Sequence, residues 1–243
     1  MISRADIQGH WVRHWIKAPG FKDHTTRVHW MQVGLEYADV RVPLDRPAVP
    51  GCLADLSADA LLRLAAAEGF AGHVTLGGTH CTWHREINWH GVPAAIDVGD
   101  ISFDAEGRMI EAGVLAEYAE LWENRGAGEG QAMRFNGAGY AGFLMTRGDR
   151  FVLGIGAPEK PATGALIDAL RAGHIPTDIA TLFDGIHAVG HWSGSTATAD
   201  LATQSMTEGR VVVTLQGDAV TWHRIGFDGQ ADTVEMTLET VVA

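Results

Sequence analysis

Along most of the chain, apolar and polar residues alternate with the two-residue period of a half-buried strand, in short runs closed by Gly, Asp, Asn or Pro. The runs cover residues 9–16, 26–33, 36–42, 75–89, 101–103, 133–135, 141–146 and 151–155, then 185–198, 210–216, 219–227 and 233–241. Turn formers at 104–107, 147–149 and 216–218 predict hairpins. Helical periodicity shows in only two segments. Residues 57–68 lie between Ser57 as N-cap and Gly69 as C-cap, and 163–172 between Thr163 and Gly173. Strands joined by turns rather than crossover helices predict antiparallel sheet.

The order of these elements repeats. Both helices follow a strand that ends in proline, Val40-Arg41-Val42-Pro43 in one case and Ile155-Gly156-Ala157-Pro158 in the other. Phe70-Ala71-Gly72-His73 after the first helix matches Phe183-Asp184-Gly185-Ile186-His187 after the second, and the turn at 102–107 matches that at 214–218. Trp11 pairs with Trp122, and 37–43 with 151–158. An internal duplication with halves 1–112 and 113–243 is expected, each half an up-and-down antiparallel barrel of about eight strands with one short helix. Thr82-Trp83-His84-Arg85 recurs as Thr221-Trp222-His223-Arg224 outside this register and is taken as coincidence.

Gly9-His10-Trp11 at the head of the first strand resembles the G-x-W of lipocalins and related calycins, and Gly190-His191-Trp192 repeats it. The strings Trp30-x-Gln32, Asp39-Val40-Arg41-Val42-Pro43 and Trp83-His84-Arg85-Glu86 extend the likeness to a family of duplicated lipocalin-like proteins. The resemblance implies a mostly β fold of two packed lipocalin-like barrels. It implies Trp11 as the plug of a closed end, and small-molecule binding rather than a defined reaction.

Composition narrows the partners. With 30 acidic against 18 basic residues the net charge is −12, which repels phosphate backbones and anionic lipid. Nucleic acid and membrane are therefore excluded as expected partners; a small molecule remains, with a homodimer left open. No run approaches the ~18 apolar residues of a membrane span. Two cysteines, Cys52 and Cys81, fit a reduced, cytoplasmic setting. No nucleotide-binding glycine motif, G-x-S-x-G elbow or C-x-x-C is present.

Candidate chemistry concentrates before residue 91, where eight of the twelve histidines lie. In the run 79–90, strand alternation sorts His80, Thr82, His84, Glu86, Asn88 and His90 to one face and Cys81, Trp83, Arg85, Ile87 and Trp89 to the other. An inward polar face would give a cavity imidazoles and a carboxylate; an outward one would be solvated. His84 and Glu86 lie ~7 Å apart along a strand, but His80 and His84 ~13 Å, too far to share an ion, so no metal is expected. Tyr37, Asp39 and Arg41 alternate with Ala38, Val40 and Val42, which is either a solvated outer face or an internal ion pair with a tyrosine beside it. Trp30 and Gln32 form a stacking surface with an amide. Tyr118 and Trp122 flank Glu117 and Glu120 on a segment expected to pack between the halves.

These features define one leading expectation: a cofactor-independent lyase or isomerase acting on a small aromatic or carbonyl-bearing molecule. His84, oriented by Glu86, is the expected general acid/base, and Arg41 with Asp39 and Tyr37 the oxyanion clamp. His29, Trp30, Gln32, Trp83 and Trp89 would hold the substrate. The alternatives are a carrier of a hydrophobic ligand, haem on His29 or His84 included, and a scaffold filled by its own side chains. The first half is the expected working half, because 151–155, the counterpart of 37–41, carries no charge.

Overall fold

The computed structural model describes residues 1–92, 95–126 and 128–242. Its first unit contains α1 (Arg4–Ile7), β1 (Gly9–Ala18), β2 (Phe21–Asp23), β3 (Arg27–Val33), β4 (Glu36–Val42) and α2 (Ala58–Leu64). It continues with β5 (Glu68–Gly77), β6 (His80–Asn88), β7 (Asp97–Phe103), β8 (Met109–Gly113) and β9 (Ala119–Asn124). The second contains β10 (Gly130–Gly137), β11 (Tyr140–Arg147), β12 (Arg150–Gly156), α3 (Gly164–Arg171) and β13 (Ile186–Trp192). It ends with β14 (Thr196–Ala202), β15 (Val211–Gln216), β16 (Ala219–Ile225) and β17 (Ala231–Val242). No helix among the described residues is long and apolar enough to cross a membrane.

Both units are closed antiparallel barrels of eight strands. In the first, β9 pairs back onto β1, and the short β2 extends β1 at its rim. In the second, β10 to β17 close in chain order. The duplicated architecture is therefore as expected, and several matched pairs occupy equivalent places. β4 and β12 are each third in their barrel, α2 and α3 follow them, and β7–β8 matches β15–β16. Two details differ. The strand β9 belongs to the first barrel, so Trp122 is no counterpart of Trp11, and the first barrel runs on beyond residue 112. The long run 75–89 is in fact the end of β5 and all of β6, broken at Gly77-Gly78, where Gly78 takes φ 68°.

One end of the first barrel is shut. Trp11 is buried there, its Nε1 donating to Ile7 O of α1 at 2.8 Å, and it stacks on Trp30 with centroids 6.2 Å apart. The barrels meet through outward faces that are apolar on both sides. Met31, Ala38, Val40 and Val42 of the first pack with Phe143, Met145, Val152 and Val189 of the second. The inner face of the second barrel is filled by a continuous apolar cluster that includes Phe151, Leu153, Ile155 and Trp222. At the seam, a Cβ on Gly69 would collide with the His187 ring. That ring lies between the barrels and reaches Asp39 O at 3.2 Å through Nδ1.

Candidate functional site

Strand alternation, with the second barrel covering one side, decides which face of each strand looks into the first barrel. On β4, Ala38, Val40 and Val42 join the seam, so Tyr37, Asp39 and Arg41 point inward. On β3 the inward set is Val28, Trp30 and Gln32. Gln32 is fully buried toward the shut end, where its Nε2 donates to Gly34 O at 3.3 Å. On β6 the inward set is Cys81, Trp83 and Arg85.

This last assignment overturns the expected role of the histidines. A tryptophan gains more from burial than an imidazole, so Trp83 takes the interior and His80 and His84 face out. His84 stacks on His73 at 4.7 Å and meets Thr75 Oγ1 at 3.0 Å. Glu86 orients no catalytic imidazole in the barrel; it binds His73 Nδ1 at 2.8 Å and Arg134 Nη2 of the second barrel at 2.7 Å. His29 also faces out, 3.0 Å from His10. Burial pushes the pKa values of His10 and His29 down to about 3 and about 4, helped in both cases by nearby cations such as Arg150. Trp89 lies outside the barrel against Phe183 and His187.

The residues that do converge form a cup with an aromatic floor and a charged rim. Trp30, Tyr37, Phe70, Trp83 and Trp122 make the floor, with Trp83 and Trp122 edge-on to Trp30 at 5.7 and 5.8 Å. Toward the end opposite Trp11 stand four carboxylates, Asp39, Asp97, Glu111 and Glu120, and three guanidinium groups, Arg13, Arg41 and Arg85. Asp39, Glu111 and Glu120 are buried at 2, 5 and 2% exposure, which is rare for carboxylates unless they are paired. Arg41 Nε donates to both Asp39 oxygens at 3.0 and 3.3 Å. Arg13 donates to Glu120 at 2.7 Å, and Arg85 to Asp97 at 2.6 Å. Both Arg41 and Arg85 lie over the Phe70 ring, at 4.6 and 3.7 Å.

The carboxylates are not equivalent. Burial pushes Asp39 up to about 6, with Arg41 holding it below what burial alone would give. Glu111 sits directly across from Glu120 on the β8–β9 pair and near Asp97. Burial first, then these two like charges, drives its pKa well above the carboxylate range, against one hydrogen bond from Tyr118 OH at 2.8 Å. The surroundings thus favour the neutral form at Glu111 more strongly than at Asp39, which has a guanidinium bonded to it. Tyr37 OH, Trp30 Nε1, Trp122 Nε1 and Arg85 Nε have no partner among the described residues. The space lined by Trp30, Tyr37, Trp122, Asp39, Arg41 and Glu111 is about 10 Å³, room for one water.

Arg13, Arg85, Asp97, Glu111, Tyr118 and Glu120 were missed as site residues by sequence reading. Alternation puts Arg85 on the apolar face of its run, and the sequence suggests a place between the barrels for Tyr118, Glu120 and Trp122. A usable signal was present: Glu111 and Glu120 interrupt otherwise apolar alternate positions, Met109-x-Glu111 and Glu120-x-Trp122.

The fold and site together define a paired eight-stranded barrel protein with one charged and one apolar interior. No family model matches the chain, and no curated protein matches it. Among solved structures, an uncharacterized protein from Saccharomyces cerevisiae, YLR301w, is similar over 97% of this chain and 99% of its own, with a TM-score of 0.52. Identity is 8%, so the likeness concerns the fold alone.

Proposed function

We propose that this protein is a lipocalin-like, cofactor-independent enzyme, a lyase or isomerase that moves a proton on a small aromatic or carbonyl-bearing molecule in the first barrel. The observation that carries the reading is a comparison internal to the molecule. At the inward positions of the third strand, the first barrel has Tyr37, Asp39 and Arg41, where the second has Phe151, Leu153 and Ile155. The same topology closes with purely apolar residues there, so the charges are not a requirement of the fold. Burying them costs several kcal/mol per ion before pairing. In the proposed chemistry Asp39 is the base and protonated Glu111 the acid, two carboxyls whose surroundings separate their roles. Arg41 and the unpartnered Tyr37 hydroxyl would stabilise a developing oxyanion, and the tryptophan floor would hold a ring. A substrate larger than water enters as the Arg85–Asp97 pair and Arg41 part from the rim, where exposure is 19–20% against 2% for Asp39. The free thiols of Cys52 and Cys81 are compatible with a cytoplasmic setting.

A carrier reading keeps the cup but loses its expected haem ligands, since His29 and His84 both face away from the barrel interior. Incubation with phenylpyruvate and benzylacetone in D₂O, followed by proton NMR, tests the enzyme reading. Deuterium should enter beside the carbonyl, rising with pH through about 6 as Asp39 ionises, and Asp39→Asn should abolish it. Absence of exchange and of any shift in the Trp30 and Trp122 indole signals would overturn it.

A further inference from the structure

The barrels leave a groove where they meet, at the shut end of the first. Helix α1 and the β3–β4 turn at Gly34 form one wall. The start of β10 and the β11–β12 turn at Gly148 form the other, around about 1,100 Å³. Small-molecule sites run up to roughly that size. We propose that this groove binds a small aromatic oxyanion, a carboxylate or phosphate on a flat ring, with the anionic group on Arg4 and Arg147 and the ring against Trp192.

Charge carries the argument. Most arginines of this acidic chain are ion-paired, Arg13, Arg41, Arg85, Arg134 and Arg224 among them. Arg4 and Arg147 pair with no carboxylate among the described residues, and both line the groove, one from each barrel. Both are held there. Gln8 Nε2 donates to Arg4 O at 2.8 Å and to Gly34 O at 2.9 Å, while Gly34 N donates to Gln8 Oε1 at 2.7 Å, which ties α1 to the turn. Arg147 Nη1 donates to Gly128 O at 2.6 Å. The Nη2 atoms flank one stretch of the seam. That of Arg4 stands 3.0 Å from where a Cβ on Gly34 would lie. That of Arg147 stands 3.3 Å from the same point on Gly130, itself 2.9 Å from Val33 Cγ2.

Burial lowers the pKa of the half-buried Arg147, and no negative charge opposes it. Other cations gather at this end. His10 and His29, lowered first by burial, are lowered further by Arg150 in both cases, by Arg147 for His10 and by Arg27 and Arg125 for His29. A chain of net charge −12 is thus locally positive here. Guanidinium groups match the planar oxygens of carboxylate and phosphate with two parallel donors. Glu129 is the one carboxylate among the described lining residues, so two cations stand against one anion, which suits a ligand with a single anionic group. Trp192, packed against the core of the second barrel, supplies a fixed flat surface, and Ala5 and Val33 add apolar wall.

Calorimetric titration with phenyl phosphate and phenylacetate, against inorganic phosphate and phenol, tests the assignment. The better of the two aromatic anions should bind at least tenfold tighter than either control, and its identity tells phosphate from carboxylate. It should shift the Trp192 indole N–H of ¹⁵N-labelled protein and lose affinity as salt is raised from about 20 to 300 mM. Arg4→Met and Arg147→Met should each weaken it at least tenfold, and Trp192→Leu should remove its advantage over inorganic phosphate. If Arg147→Met does not fold, the exposed Arg4 decides alone. Aromatic anions no tighter than phenol, inorganic phosphate bound as tightly as both, or wild-type affinity in Arg4→Met would overturn the proposal.

Discussion

Removing the Arg41 guanidinium should produce a stability loss that grows with pH, and the size follows from the site. Asp39 is buried with a pKa near 6 while Arg41 is bonded to it, against an ordinary 3.8. In Arg41→Met only the Arg85 charge opposes that burial, and the folded protein keeps Asp39 protonated through neutral pH. At pH 5 the wild type also holds the proton, so the difference is the lost packing of the guanidinium on Phe70, about 1–2 kcal/mol. Above pH 6 the folded wild type releases the proton and the variant does not, so the gap widens by about 1.4 kcal/mol per pH unit. By pH 8 it should reach about 3–5 kcal/mol, the range for breaking a buried ion pair. Equilibrium urea unfolding at pH 5, 6, 7 and 8 measures this directly. Adding Asp39→Asn to the variant should remove the pH dependence. A gap that stays flat between pH 5 and 8 would refute the claim that Asp39 is a buried charge held by Arg41.

Other expectations concern the seam and the second barrel. His187 is neutral in the fold, burial pushing its pKa down to about 3. Below pH 6.5 the unfolded chain takes up a proton that the folded one refuses, so stability falls on acidification by about 1.4 kcal/mol per unit between 6.5 and 3. His187→Met should remove that share of the acid slope in urea titrations at pH 4–7. Gly69→Ala pushes a methyl into the His187 ring and should cost about 2 kcal/mol or more in the same assay, partly recovered by His187→Ala. Burial lowers the pKa of Lys160 to about 8. The folded state therefore sheds its proton before the unfolded chain does, and stability should rise between pH 8 and 10.5. Lys160→Met should abolish that rise and raise amide exchange at 180–185, because two carbonyls lose their donor.

Much of the fold was legible because turn chemistry and two-residue periodicity are local. The proline-ended strands and the capped helices were enough to align β4 with β12. Which strand closes the first barrel was not legible, since the β1–β9 pairing joins Trp11 to Asn124 across the whole unit, and nothing local marks it. For the site, alternation separated Tyr37, Asp39 and Arg41 from their neighbours correctly but could not say which face looked inward. An apolar face ordinarily points to the core, yet Ala38, Val40 and Val42 are buried against a second barrel, which left the polar face for the interior. On β6 no such cover exists over His80 and His84, and the ordinary rule holds: Trp83 goes in and the imidazoles stay out. The clustered histidines point to chemistry in sequence, whereas the proposed acid and base are carboxylates far apart in the chain, Asp39 on β4 and Glu111 on β8.

On the proposed function, the first barrel keeps its interior charges for chemistry and not for folding. Urea unfolding at pH 7 of the triple variant Tyr37→Phe, Asp39→Leu, Arg41→Ile, which gives the first barrel the residues the second has at those positions, tests it most directly. The variant should fold and be at least as stable as wild type, with a gain of up to about 4 kcal/mol, as when a buried ion pair is replaced by packed apolar residues. A loss of more than about 2 kcal/mol would contradict it and make the ion pair a structural element of the barrel.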